Sequence, residues 1–64
     1  MKLTIHTIEN CPWCIKAKKL ADLLQLEYEE VLGKHPDWPT APYILGDGEP
    51  IGGFTEFAAF CRKL

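Results

Sequence analysis

The stretch ENCPWCIKAKKL, Glu9 to Leu20, sets two thiols three positions apart with a proline and a tryptophan between them. Asn10 offers a helix N-cap, and Pro12 falls in the first turn, where its missing N–H costs nothing. Beyond Cys14, the residues Ala17, Leu20, Ala21 and Leu24 recur at helical spacing and form one apolar face. Lys16, Lys19 and Asp22 point to water. The pattern predicts a helix from Pro12 to Gln25 with a Cys-x-x-Cys pair at its head.

Such a pair can be a redox couple, half of a zinc site, or an inert structural disulfide. A structural zinc site takes four ligands, usually in two paired groups. Here Cys61, His6 and His35 are scattered singly, so the spacing argues against metal. Three cysteines are an odd count and too few for a disulfide scaffold. The opening MKLTIHTIEN also lacks the apolar core of a signal peptide, so the expected compartment is the reducing cytoplasm.

The redox reading has positive support. Cys11 stands at the amino end of the helix, where free N–H groups and the dipole favour a thiolate. Cys14 lies one turn inside, more buried and less ionised. Cys11 is therefore the expected nucleophile and Cys14 the resolving thiol.

The remainder of the chain supplies the context. KLTIHTI alternates as a strand with Leu3, Ile5 and Thr7 on one face. LEYEEVL reads as a second strand whose glutamates suit a sheet edge. GKHPDWP, with a glycine and two prolines, excludes a stable helix. APYILG and EPIGG joined by Asp47–Gly48 read as a hairpin. Phe54 to Leu64 forms a closing helix that buries Phe54, Phe57, Ala58, Cys61 and Leu64, with Arg62 and Lys63 complementing its carboxyl end. A first strand and helix leading to a parallel second strand demand a right-handed crossover. The outcome is one α/β domain, residues 1–64, with four strands and both helices on one face.

A chain of 64 residues buries only about 60% of its unfolded surface. Its apolar content of 47% and charged content of 25% are those of an ordinary globular protein. A formal charge of −2 gives no general attraction to nucleic acid or anionic membranes, and no apolar run is long enough to span a bilayer.

CPWCIKAKKL resembles the active-site stretch of the glutaredoxins, where Cys-Pro-aromatic-Cys precedes an aliphatic residue, a basic one, Ala and Lys. The resemblance continues through YEEV and through TAPYIL, where the family has a threonine, a small residue and a cis-proline. It ends in IGGFTEF, similar to the family's Gly-Gly, aromatic, Thr or Ser, acidic segment. It implies a minimal thioredoxin-like fold: a four-stranded mixed sheet, two main helices, and a loop in place of the helix between the second and third strands. The interval from Leu32 to Pro39 has no room for that helix.

The resemblance also implies a dithiol thiol–disulfide oxidoreductase with glutathione as co-substrate. Its glutathione groove would comprise Trp13, Thr40, Ala41, Pro42, Gly53, Phe54, Thr55 and Glu56. With a cis Ala41–Pro42 bond, the backbone of Ala41 pairs with the cysteinyl unit as a short β-augmentation. Gly52 and Gly53 allow a tight strand-to-helix turn. The N–H groups of Thr55 and Glu56 then receive a carboxylate. Glu56 takes the ammonium, a task the family often gives to Asp; its plainer reading is a first-turn acid complementing the dipole.

Trp13 walls the groove where the family more often has Tyr, and Trp38 covers the core in place of the missing helix. A basic residue often precedes the family's active site, whereas IEN stands here, leaving the glycyl carboxylate to Lys34 or His35. Lys18 adds positive charge that favours the thiolate. The implied partners are glutathionylated proteins and protein disulfides, ribonucleotide reductase or another, acted on by a monomer. Two alternatives share the fold. One is a redoxin served by a thioredoxin reductase, disfavoured by the TAP and GGFTE segments. The other is a dimer bridging an iron–sulfur cluster, disfavoured by Pro12.

Overall fold

The computed structural model describes residues 2–63. Strand β1 (Lys2–Thr7) buries Leu3, Ile5 and Thr7 and turns the intervening side chains to its other face, as the alternation predicts. It lies at the centre of the sheet, whose order is β2-β1-β3-β4. Strand β2 (Glu27–Leu32) runs parallel to β1, from Lys2↔Glu27 to Thr7↔Leu32, and its glutamates occupy the expected edge. Strand β3 (Tyr43–Gly46) pairs antiparallel with β1, with Ile5 opposite Ile44, and β4 (Glu49–Gly52) forms the other edge. Asp47 and Gly48 join β3 to β4 with φ of 51° and 83°, the pair of positive values that a two-residue hairpin turn of the sheet's own twist requires.

Helix α1 (Pro12–Leu23) begins at Pro12 as expected, but its capping residue and its end differ from the sequence expectation. Its N-cap is Cys11, not Asn10. Asn10 adopts φ 55°, a left-handed conformation its short polar side chain tolerates, and so turns the chain one residue before the cap. At the other end Gln25 adopts φ 58°. The N–H of Leu26 bonds the carbonyl of Ala21 at 2.9 Å, and that of Gln25 bonds Asp22 at 3.0 Å. This is a Schellman closure with glutamine in the position glycine usually fills. The helix stops before its apolar face returns, so Leu24 is left 40% exposed and not buried as its spacing suggests.

Helix α2 (Phe54–Arg62) buries Phe57 completely and half-buries Phe54, Ala58 and Cys61. Phe60, not anticipated, also packs against the core, whereas the expected burial of Leu64 lies outside the described residues. The core is Leu3, Ile5, Ala17, Ala21, Ile44 and Phe57, all without exposure, drawn from one face of the sheet and from both helices. Alanines at 17 and 21 let α1 approach the sheet closely while Phe57 fills the space that remains.

The opposite face is covered by the loop after β2. Trp38 stacks on Tyr43 at 5.0 Å, and His35 sits 4.8 Å from Tyr43 and 5.0 Å from His6. One rigid aromatic layer thus does locally what a helix would do with more chain. The minimal thioredoxin-like arrangement is present as the resemblance implies.

Phe57→Ala should cost about 3–5 kcal/mol, the usual loss for emptying a buried aromatic site, and leave a chain of this size largely unfolded. Leu24→Ala should stay within about 0.5 kcal/mol, as for an exposed position. Thermal melts followed by circular dichroism would distinguish the two; equal losses would contradict the core assignment.

Candidate active site

Cys11 and Cys14 form a disulfide, with Cα atoms 5.3 Å apart. The α-helical turn begun by Pro12 makes this separation possible, because residues three apart on a helix face the same way. Cys11 Sγ accepts the backbone N–H of Cys14 at 3.2 Å and so fills the role that an oxygen usually plays at an N-cap. Cys11 is 9% exposed and Cys14 2%, so the first sulfur is the more accessible, though less open than a helix end suggests.

Across from the sulfurs lies the turn into β3. The Ala41–Pro42 peptide is cis, and the carbonyl oxygen of Ala41 is 3.8 Å from Cys11 Sγ. A groove of about 330 Å³ opens beside this contact, lined by Trp13, Thr40, Ala41, Pro42, Phe54, Thr55 and Glu56. Seven of the eight groove residues drawn from the sequence come together here. Trp13 is 52% exposed, with its ring 5.3 Å from Phe54, and Lys16 Nζ sits 4.3 Å over its centroid. The two aromatics form an apolar wall with a cation at its outer rim.

Gly53, the eighth, stands just behind the groove as the N-cap of α2. Its N–H donates to Glu56 Oε1 at 2.8 Å, half of a capping box. The capping role of Glu56 is therefore present. Gly52 adopts φ 124°, and a Cβ there would come within 2.9 Å of Glu56 Cβ and Cγ. Only glycine permits both the turn and the close packing.

The charges near the pair are largely committed. Lys18 Nζ bonds Glu30 Oε2 at 3.2 Å, and Thr7 Oγ1 donates to the same oxygen at 2.7 Å. The Thr7 hydroxyl first, and Lys18 second, hold the Glu30 carboxyl below its ordinary range. Lys18 thus braces α1 against β2, a contact the sequence did not disclose. His35 Nδ1 accepts the N–H of Asp37 at 3.0 Å, so this ring is engaged in its own loop, whereas Lys34 is exposed. Cys61 is half-buried on α2, and burial pushes its thiol up, which leaves it a poor nucleophile.

A four-stranded thioredoxin-like sheet with Cys-x-x-Cys at its first strand-to-helix junction defines a thiol–disulfide oxidoreductase. Comparison with known proteins narrows the class. The chain is 38% identical to glutaredoxin 1 of Rickettsia bellii, over 80% of this chain and 67% of that protein. It is 32% identical to the glutaredoxin of Haemophilus influenzae, over 98% of this chain and 93% of that protein. Among solved structures, Francisella tularensis glutaredoxin 1 complexed with cacodylate superposes with a TM-score of 0.86 at 28% identity, over 97% and 93% of the two chains. A buckwheat glutaredoxin–glutathione complex superposes with a TM-score of 0.82 at 23% identity, over 95% and 68%. No family model matches. The chain belongs to the glutaredoxin family.

Trp13 adjoins the disulfide, whereas Trp38 is stacked on Tyr43 in the loop after β2. Reduction of the pair should change tryptophan emission in the wild type and in Trp38→Phe, and much less in Trp13→Phe. A response lost with Trp38 instead would contradict this geometry.

Proposed function

We propose that the chain is a glutathione-dependent dithiol oxidoreductase that reduces protein–glutathione mixed disulfides and protein disulfides. The observation that carries the reading is the groove between Trp13, Thr40–Pro42 and Phe54–Glu56, which opens directly beside Cys11. Glutathione offers an extended peptide, two carboxylates, an ammonium and a thiol. The groove answers with the backbone of Ala41 along its lining, the open N–H groups at the start of α2, a carboxylate at Glu56 and an apolar wall at Trp13 and Phe54. Glu56 Oε1 caps Gly53, which leaves Oε2 for the ammonium. The glycyl carboxylate falls to Lys34 or His35, both in the loop that follows β2.

In the mixed-disulfide reaction, Cys11 thiolate attacks the glutathione sulfur of the substrate. A Cys11–glutathione disulfide forms, and the protein thiolate leaves and takes a proton. A second glutathione thiolate attacks the bound glutathione sulfur, giving glutathione disulfide and restoring Cys11. With a protein disulfide, Cys11 first forms a mixed disulfide with the substrate. Cys14 then attacks the Cys11 sulfur and frees the reduced protein, and two glutathiones reduce the Cys11–Cys14 bond. Access and capping support this order of the two thiols, since Cys11 is the more exposed residue and its sulfur accepts an N–H.

Glutathione, glutathione reductase and NADPH should sustain turnover of a glutathionylated substrate, and thioredoxin reductase should do so poorly. Cys11→Ser should abolish turnover, and Cys14→Ser should retain it for mixed disulfides only. Glu56→Lys should raise the apparent glutathione KM by roughly tenfold, the effect of losing one charge-assisted contact at a partly exposed site. Fast turnover with thioredoxin reductase and none with glutathione would overturn the assignment.

A further inference from the structure

A second and larger groove, of about 630 Å³, runs between the β3–β4 hairpin and α2 and has no part in the chemistry above. Its floor is apolar, formed by Ile51 and Phe60 with Ala59 as one wall. Its rim carries the carboxylates of Asp47, Glu49 and Glu56 against the single ammonium of Lys63. The strand beside it, β4, is an edge strand, and Pro50 within it has no N–H to donate. Recognition there would fall to side chains more than to backbone pairing. Glu56 lines both this groove and the one beside Cys11, so the two surfaces meet at the first turn of α2.

We infer that this groove docks the protein substrate, taking an extended segment that carries an apolar side chain next to lysine or arginine. The apolar residue would rest on Ile51 and Phe60, and the cationic residue would face Asp47 and Glu49. Charge complementarity selects this occupant, because an acidic segment would meet three carboxylates at the rim. The shared residue Glu56 supplies the geometry: the two grooves meet at the first turn of α2, so with glutathione seated beside Cys11 the substrate protein joined to it lies against this groove as well. The inference rests on the reading of the chain as a reductase of glutathionylated proteins and adds a substrate preference to it.

Two short peptides test it, each with one cysteine followed by leucine and either two lysines or two glutamates. Their binding is read at low salt by amide chemical shifts of the isotope-labelled protein, and their glutathionylated forms are read as substrates. The basic peptide should shift the resonances of Ile51, Ala59 and Phe60, and the acidic one should not. The basic substrate should show the higher kcat/KM by about fivefold, the effect of one or two exposed charge pairs. Glu49→Lys and Ala59→Arg should remove that preference while leaving turnover of the mixed disulfide of glutathione with β-mercaptoethanol unchanged. Glu49→Lys alters only an exposed strand residue, so it decides the matter if Ala59→Arg perturbs the helix. Equal shifts from both peptides, or a preference that survives both substitutions, would overturn the inference. So would shifts at these residues that grow with protein concentration alone, which would mark a second copy as the occupant. A wild type that fails to turn over the β-mercaptoethanol disulfide would count against glutathione dependence only, since peptide shifts are read without turnover.

Discussion

The hydrogen bond from the Cys14 N–H to Cys11 Sγ is the contact on which the active end of this molecule depends. It starts α1, because a helix leaves its first N–H groups without intrahelical partners and this sulfur satisfies one of them. It also fixes the Cys11 sulfur where backbone N–H groups and the helix dipole favour negative charge. The same position sets Cys11 Sγ opposite the Ala41 carbonyl, so that one backbone contact aligns this sulfur with the groove. Asn10 in a left-handed conformation and Pro12 at the first helical position are the local choices that bring the chain into it.

The rest of the fold holds that end rigid with little material. One sheet face is sealed by two helices through Ala17, Ala21 and Phe57. The other has no helix over it. There Trp38 stacks on Tyr43, His35 packs against the same ring at a tilt, and together they bring the loop carrying Thr40 and Ala41 down onto β3. Large planar side chains bury much area for few residues and lose little rotamer freedom, which makes them an economical cover for a chain of this length. The loop that replaces a helix is also the loop that forms one wall of the groove, so packing on this face and geometry at Cys11 are coupled.

Much of this was legible in the sequence, for identifiable reasons. Strict alternation in β1, the Asp-Gly turn and the helical spacing of Ala17 and Ala21 are local signals, and each describes its element well. The groove residues were legible through a resemblance distributed over three separated motifs, which the fold then brought together. What was missed depends on side chains meeting across the fold. Lys18 is held by Glu30, far from it in sequence, and so acts as a brace between α1 and β2. The N-cap moved from Asn10 to Cys11 because a sulfur can serve as acceptor, a choice that propensity alone does not rank. Leu24 keeps an apolar period beyond the point where Gln25 has already turned the chain.

If the capped position at the helix amino end governs ionisation, Cys11 is the thiolate in the reduced protein. Alkylation by iodoacetamide at decreasing pH, with the labelled residue identified by mass spectrometry, tests it most directly. Cys11 should be labelled well below the pH range in which an unperturbed cysteine reacts, about 8.5, and Cys14 and Cys61 should be spared. Preferential labelling of Cys14, or the absence of any reactive thiol at neutral pH, would contradict it.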